Sequence, residues 1–150
     1  MDEDIIEEMV DTLFAKKWRK RAKYDFVSRK RRETAFFRYN SGEYLDNAAI
    51  KYNVTKLSEE EIYSLVQKEG GEQKCFVIMC FKNGIYDSLK GINEVMKEGL
   101  GGIIYFGNGV GYFQGEQYIG PPDRYILVKK QRNEYREVKK WSLLTRTEKK

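Results

Sequence analysis

The sequence predicts an α+β fold in which N-terminal helices are followed by a β-α-β-β-β run. Apolar residues recur at helical spacing over residues 3–18, and a helix start signal occurs at Ser58. Four later runs, rich in aliphatic and aromatic residues, have the length and composition of strands: 75–81, 103–106, 110–118 and 124–130. We expect a mixed four-stranded sheet with the helices packed mainly on one face.

The N-terminal third is predicted to be helical. Acidic residues fill the first turns of the helix over residues 3–18, and Lys16 and Lys17 lie in its last turn, which suits the helix dipole. Helical spacing continues over residues 19–37 and stops at a break beginning at Asn40. Residues 43–56 fit either a short helix or a short strand at 50–54.

Two local signals define the elements of the sheet region. Ser58 and Glu61 have the spacing of a capping box, in which each side chain bonds the other residue's backbone N–H. Asn108-Gly109 separates two aromatic-rich runs and predicts a tight hairpin. A second helix is expected between the first two strands, capped by Asp87 or Ser88.

A chain of 150 residues is expected to form a single domain over residues 1–150. Within it we distinguish a basic helical segment at about 1–40, a sheet core at 57–130 and a basic tail at 131–150. The last six residues of the tail are expected to fray.

The composition excludes several functional classes. The chain has no histidine, so it lacks the commonest general base, the Ser-His and Cys-His pairs and most zinc ligand sets. Its two cysteines, Cys75 and Cys80, are five residues apart in one predicted strand and therefore point to opposite faces. We expect buried, unpaired thiols in a reducing cytoplasm. No apolar run is long enough for a membrane span, and we expect no catalytic residue, metal or cofactor.

Positive charge is concentrated in one segment near the N-terminus. Residues 16–32 contain ten Lys or Arg residues and the single acid Asp25, although the net charge of the chain is only +5. Interleaved aromatic residues make this composition typical of a surface that binds an anionic partner. The alternative is a solvated helix face whose aliphatic stems cover apolar surface. The predicted partner contacts are Lys17, Trp18, Arg19, Arg21, Arg29, Arg31 and Arg32, with Glu116 as the acidic contact.

Residues 112–117 (YFQGEQ) and 120–127 (GPPDRYIL) resemble the closing strands of small bacterial immunity proteins, which are encoded beside polymorphic and contact-dependent toxins. The size and α+β organisation are also similar. The resemblance implies a cytosolic inhibitor that blocks a cognate toxin domain by direct binding. Inhibitors of nuclease toxins often carry acidic surfaces, whereas this chain is basic. Either its mildly acidic middle forms the interface, or the toxin is not a typical basic nuclease.

Two other functions remain open at this point. The segment 16–32 also fits a nucleic-acid-binding accessory protein of phage or mobile-element type, in which the same bases contact phosphates. A histidine-free enzyme acting on a phosphorylated substrate would need Glu116, Asp123 and a tyrosine together in one concave pocket.

Overall fold

The computed structural model describes residues 2–117 and 119–129. The described residues form five α-helices, one short 3₁₀ helix and six strands. The helices are α1 (Asp2–Leu13), α2 (Lys16–Val27), α3 (Arg29–Tyr39), α4 (Glu59–Lys68) and α5 (Ser88–Met96), with the 3₁₀ helix at Asn47–Ala49. The strands are β1 (Ile50–Asn53), β2 (Lys74–Met79), β3 (Lys82–Asp87), β4 (Gly102–Tyr105), β5 (Val110–Gln114) and β6 (Arg124–Val128). The α+β class is therefore confirmed.

All six strands belong to one sheet in the order β1-β6-β5-β4-β2-β3, and every pairing is antiparallel. The prediction of four strands in a mixed sheet was wrong. A turn at Cys80 and Phe81 folds β3 back onto β2, and α5 then connects β3 rather than β2 to β4. This extra reversal leaves β2 and β4 antiparallel.

Helices cover both faces of the sheet, so the expectation that they pack mainly on one face was also wrong. Phe76 and Ile78 of β2 belong to the core formed with α1, α2 and α3. Cys75, Val77 and Met79 alternate with them and belong to a second core with α4 and α5. Because successive side chains of a strand point to opposite faces, one apolar strand serves both cores.

The helix predicted over residues 3–18 is interrupted after Leu13. The Ala15 N–H donates to the Tyr44 carbonyl at 2.9 Å, and the Asp46 N–H donates to the Leu13 carbonyl at 2.7 Å. These bonds to the 44–46 segment replace helical bonds at the junction. A new helix, α2, therefore starts at Lys16 and contains the basic residues expected at the end of the first.

Other local predictions agree with the structure. Ser58 and Glu61 form both bonds of the capping box. Asn108 and Gly109 adopt φ values of 53° and 74° in the hairpin between β4 and β5, a conformation that favours Asn-Gly. The predicted tail at 131–150 lies outside the described residues.

The two cysteines do not form a disulfide: Cys75 is buried and Cys80 is half-buried. No helix among residues 2–117 and 119–129 combines the length and the apolar composition needed to cross a bilayer.

Candidate binding surface on helices α2 and α3

The exposed side of α2 is a stripe of cations around one aromatic ring. Its exposed residues at positions i, i+3, i+4 and i+7 are Lys17, Lys20, Arg21 and Tyr24, and this spacing places them along one face of the helix. Phe26 points from the opposite side of α2 into the core. The buried side of the helix therefore fixes which bases face outward.

Arg31 connects this stripe to α3. Its guanidinium carbon lies 3.8 Å from the centre of the Tyr24 ring, and its Nη2 and Nε donate to the Tyr24 carbonyl at 2.9 and 3.3 Å. A cation stacked on an aromatic ring at an exposed site contributes about 0.5–1 kcal/mol. Tyr24 is 61% exposed, so the stack presents an ordered aromatic and cationic group at the surface. We call the following residues the cationic surface: Lys17, Lys20, Arg21, Tyr24, Arg29, Lys30 and Arg31.

The first turns of α2 and α3 are basic, which opposes the helix dipole. Neither first turn contains an acidic residue, although a helix N-terminus carries partial positive charge and is stabilised by acids. In α3 the run from Arg29 to Arg32 fills the first turn. Arg31 and Arg32 turn back onto carbonyls at the C-terminal end of α2, whereas the side chains of Arg29 and Lys30 are exposed.

Arg32 lies inside the protein, so the structure removes it from the predicted contact set. It is buried, and its Nε and Nη2 donate to the carbonyls of Phe26 and Val27 at 2.7 and 3.0 Å. Its Nη1 donates to Asn83 Oδ1 at 3.1 Å. These bonds satisfy carbonyls at the end of α2 that have no helical partner. Arg32 thus holds α2, α3 and β3 together.

Arg19 is also used mainly within the fold. Its Nε donates to the Phe14 carbonyl at 2.9 Å, and its guanidinium lies 3.6 Å from Asp46. On the same helix, Lys23 pairs with Asp11 of α1 at 2.9 Å. Both side chains fasten α2 to neighbouring segments, and neither belongs to the exposed stripe.

Asp25, the only acid of the basic segment, is buried between two helices. Tyr39 donates its hydroxyl to Asp25 Oδ2 at 2.5 Å, and Arg21 and Arg38 approach the same oxygen at 3.6 and 3.7 Å. Burial first, and then the hydrogen bond to Asp25, raise the pKa of Tyr39 above its ordinary value. Arg21 therefore balances a buried carboxylate while most of its side chain remains exposed.

The remaining lysines of the cationic surface retain their charge toward solvent. Within residues 2–117 and 119–129, Lys17, Lys20 and Lys30 form no salt bridge. Lys17 Nζ lies 5.3 Å from the Trp18 ring. Trp18 is half-buried and packs edge-on against Tyr44 at 4.7 Å. The protein's own carboxylates thus neutralise part of the basic segment, whereas the positive charges of Lys17, Lys20 and Lys30 are left uncompensated.

Glu116 lies at the far end of α3 from these bases. Asn40, which caps the C-terminus of α3, donates from Nδ2 to Glu116 Oε1 at 3.1 Å. The Glu116 N–H in turn donates to the Asn40 carbonyl at 3.2 Å. The structure therefore gives Glu116 a local partner and separates it from the predicted basic contacts.

The described carboxylate and thiol groups are poorly placed for acid–base or thiol chemistry. Asp123 is exposed, and its carbonyl accepts a hydrogen bond from the Gly115 N–H at 2.9 Å. Burial raises the pKa of the Cys75 thiol to about 12. Burial, followed by the nearby charges of Glu98 and Glu116, also raises the pKa of Cys80. Both thiols are therefore poor nucleophiles near neutral pH.

One cleft of about 210 Å³ is lined by polar groups, of which Glu8, Tyr105 and Lys74 already have partners. Glu8 lines it and accepts a hydrogen bond from the Tyr105 hydroxyl at 2.9 Å. That hydroxyl accepts from the Gly109 N–H at 3.1 Å, and burial raises the pKa of Tyr105 to about 12. Among the described residues, no group of three or more Cys, Asp and Glu side chains could hold a metal ion.

No protein-family model matches the chain, and the comparisons with curated proteins and with solved structures found no match.

Proposed function

We propose that this chain is a non-catalytic cytoplasmic binding protein of the immunity type, which inhibits a cognate toxin domain by binding it through the cationic surface. The partner face is acidic, and Tyr24 with its stacked Arg31 acts as an anchor at the contact. Tyrosine and arginine are the residue types that most often dominate the energy of protein interfaces. Inhibition follows from steric occlusion of the toxin's active site.

The observation that carries the proposal is the basic first turn of α3. Four consecutive bases at a helix N-terminus oppose the dipole, each by about 0.3–1 kcal/mol at low ionic strength. Arg31 and Arg32 offset this cost through bonds to α2, but Lys30 has no such compensation among the described residues. Local rules are commonly broken where a residue serves function. Binding to an anionic partner would be the function that Lys30 and the α2 lysines serve.

The experiment is co-expression with each reading frame adjacent to the gene, followed by titration calorimetry with any product that the chain protects cells against. Lys17→Glu with Lys20→Glu should weaken binding by about 30-fold or more, since rim charges steer and stabilise association. Lys56→Glu with Lys68→Glu provides a matched control, because both residues are exposed and lie off the cationic surface. Equal losses for the two pairs, or protection without complex formation, would contradict the proposal.

A second candidate function is supported by the same stripe, since Tyr24 lies between cations at helical spacing. Aromatic rings stack on bases and flanking cations contact phosphates in proteins that bind single strands. If the chain binds single-stranded DNA of random sequence, log affinity should fall against log salt with a slope of about −0.7 per phosphate contacted. Absence of binding at about 50 mM salt would exclude this function.

A further inference from the structure

Three of the exposed large apolar side chains lie along one edge of the sheet. Phe81, in the turn between β2 and β3, is 66% exposed, and Ile85 of β3 is 55% exposed. Phe37 of α3 is 44% exposed and packs edge-on against Phe81, with ring centres 5.7 Å apart. We call Phe37, Phe81 and Ile85 the edge cluster. Its residues lie on the side of the sheet that α1, α2 and α3 cover.

The backbone of β3 is also open for pairing. The Ser88 N–H donates to the Gln73 carbonyl at 2.8 Å. Because hydrogen-bonded pairs alternate along an antiparallel ladder, the even-numbered residues of β3 are the ones that bond to β2. The N–H and C=O groups of Asn83 and Ile85 therefore point away from the sheet. The opposite edge, β1, has four residues and a register irregularity, whereas β3 pairs with β2 over six residues without a break. Short and irregular edges resist pairing, and long regular edges invite it.

We propose that β3 pairs antiparallel with β3 of a second copy of this chain, about a two-fold axis at Asn83. This register brings Phe81 of each copy, in the turn that precedes β3, next to Ile85 of the other copy, so that two apolar contacts flank the axis. It also places the outward-pointing backbone groups of both strands opposite one another. On the other face, Lys82 of each copy lies opposite Gly84, where no atom of the same chain lies within 4 Å of an added Cβ.

Neighbouring registers are less favourable. An axis at Lys82 would set two like charges opposite one another, which is destabilising. An axis at Gly84 would set Phe81 against Asp87. Of these three registers, only the one centred on Asn83 brings apolar residues together, because Phe81 and Ile85 lie two positions away on either side.

The available area indicates a weak dimer. Since a phenylalanine side chain covers about 150–250 Å², the exposed parts of the edge cluster amount to roughly 300 Å² per copy. Two copies would bury roughly 600 Å² from these side chains, below the ~1,200 Å² at the lower limit of stable interfaces. The strand backbone adds to this area. We therefore expect a dissociation constant between about 10 µM and 1 mM.

The two-fold axis is perpendicular to the sheet, so the α1–α3 layers of both copies lie on the same side. Two cationic surfaces then face one direction, and two molecules of net charge +5 approach each other. Salt screens this repulsion. Dimerisation should therefore strengthen as salt rises, whereas the proposed binding of an acidic partner should weaken.

Sedimentation velocity from about 10 µM to about 1 mM protein tests the proposal. The expected result is a monomer–dimer equilibrium that tightens between about 50 and 500 mM salt. In hydrogen exchange, the Asn83 and Ile85 amides should gain protection with protein concentration, while the Tyr86 amide remains protected throughout. A monomer under all these conditions, or a dimer that loosens as salt rises, would overturn the proposal.

Matched variants locate the interface. Ile85→Ser should abolish the dimer, whereas Ile119→Ser, which removes an even more exposed isoleucine elsewhere, should leave it unchanged. Phe81→Asn is a second disruptive variant, and it cannot fail by straining the turn because Asn tolerates the φ of 65° found there. A dimer that survives both edge substitutions would place the contact elsewhere and refute the pairing.

Discussion

The hydroxyl of Tyr39 donates a 2.5 Å hydrogen bond to the carboxylate of Asp25, which joins the last turn of α3 to the buried side of α2. Asp25 is almost fully buried, and the two arginines that neutralise it approach from the surface. This contact joins the C-terminal end of α3 to α2, whereas Arg31 and Arg32 join the N-terminal end of α3 to the same helix.

Tyr39→Phe should lower the free energy of unfolding by about 2 kcal/mol, because a buried carboxylate loses its closest donor. Tyr63→Phe is the matched control, since its hydroxyl donates to Gln73 at 3.3 Å on the surface and should contribute about 0.5 kcal/mol or less. Urea denaturation measures both changes. Similar losses in the two variants would show that the Asp25 contact has no special role.

The same contact predicts a pH dependence. The pKa of Tyr39 is raised above its ordinary value of 10.0, first by burial and then by its bond to Asp25. A raised pKa in the folded state gives a contribution that is complete below the unfolded pKa and is lost as the pH rises above it. The stability difference between wild type and Tyr39→Phe should be constant near neutral pH and shrink above about pH 10. Urea denaturation at a series of pH values checks this, and a constant difference would contradict it.

Arg32→Met should destabilise the fold by about 3 kcal/mol, because buried carbonyls at the end of α2 lose a charged donor. The control is Lys30→Met, an exposed substitution in the same turn that should change stability by about 0.5 kcal/mol or less. Thermal or urea denaturation distinguishes them. If Arg32→Met retained wild-type stability, the assignment of Arg32 to the architecture would be incorrect.

Cysteine labelling should proceed in a fixed order. Cys75 is buried with its pKa raised to about 12, whereas Cys80 is only half-buried. We expect iodoacetamide at about pH 8 to modify Cys80 first and to reach Cys75 only on unfolding, since the thiolate is the reactive form. Mass spectrometry of native and urea-unfolded protein measures this order. Equal rates in the native protein would be inconsistent with the described burial.

The elements that the sequence predicts correctly carry strong local signals. The Ser58–Glu61 box and the Asn108-Gly109 turn depend only on residues a few positions apart. In contrast, β3 escaped prediction because its sequence KNGIYD has no apolar run. It is a strand only because β2 beside it offers unpaired backbone groups.

The distribution of the basic residues could not be read from the sequence either. Arg31 and Arg32 are adjacent and chemically identical, yet one stacks at the surface and the other is buried. Which residue turns inward depends on where the last carbonyls of α2 lie, and this is a tertiary property. Gln114 is similar: its Nε2 donates to the carbonyls of Val95 and Glu98 at 2.9 and 3.0 Å, a role that its place in an aromatic strand does not signal.

The sheet lies between the two cores of this protein. Side chains beneath α2 and α3 form one core, and side chains beneath α4 and α5 form the other. The two sets meet only through strand backbone. A change of volume under the cationic surface is therefore absorbed locally, because strands transmit little of it to the other face. Such a layout lets the sequences of α2 and α3 diversify while the opposite layer of α4 and α5 preserves foldability.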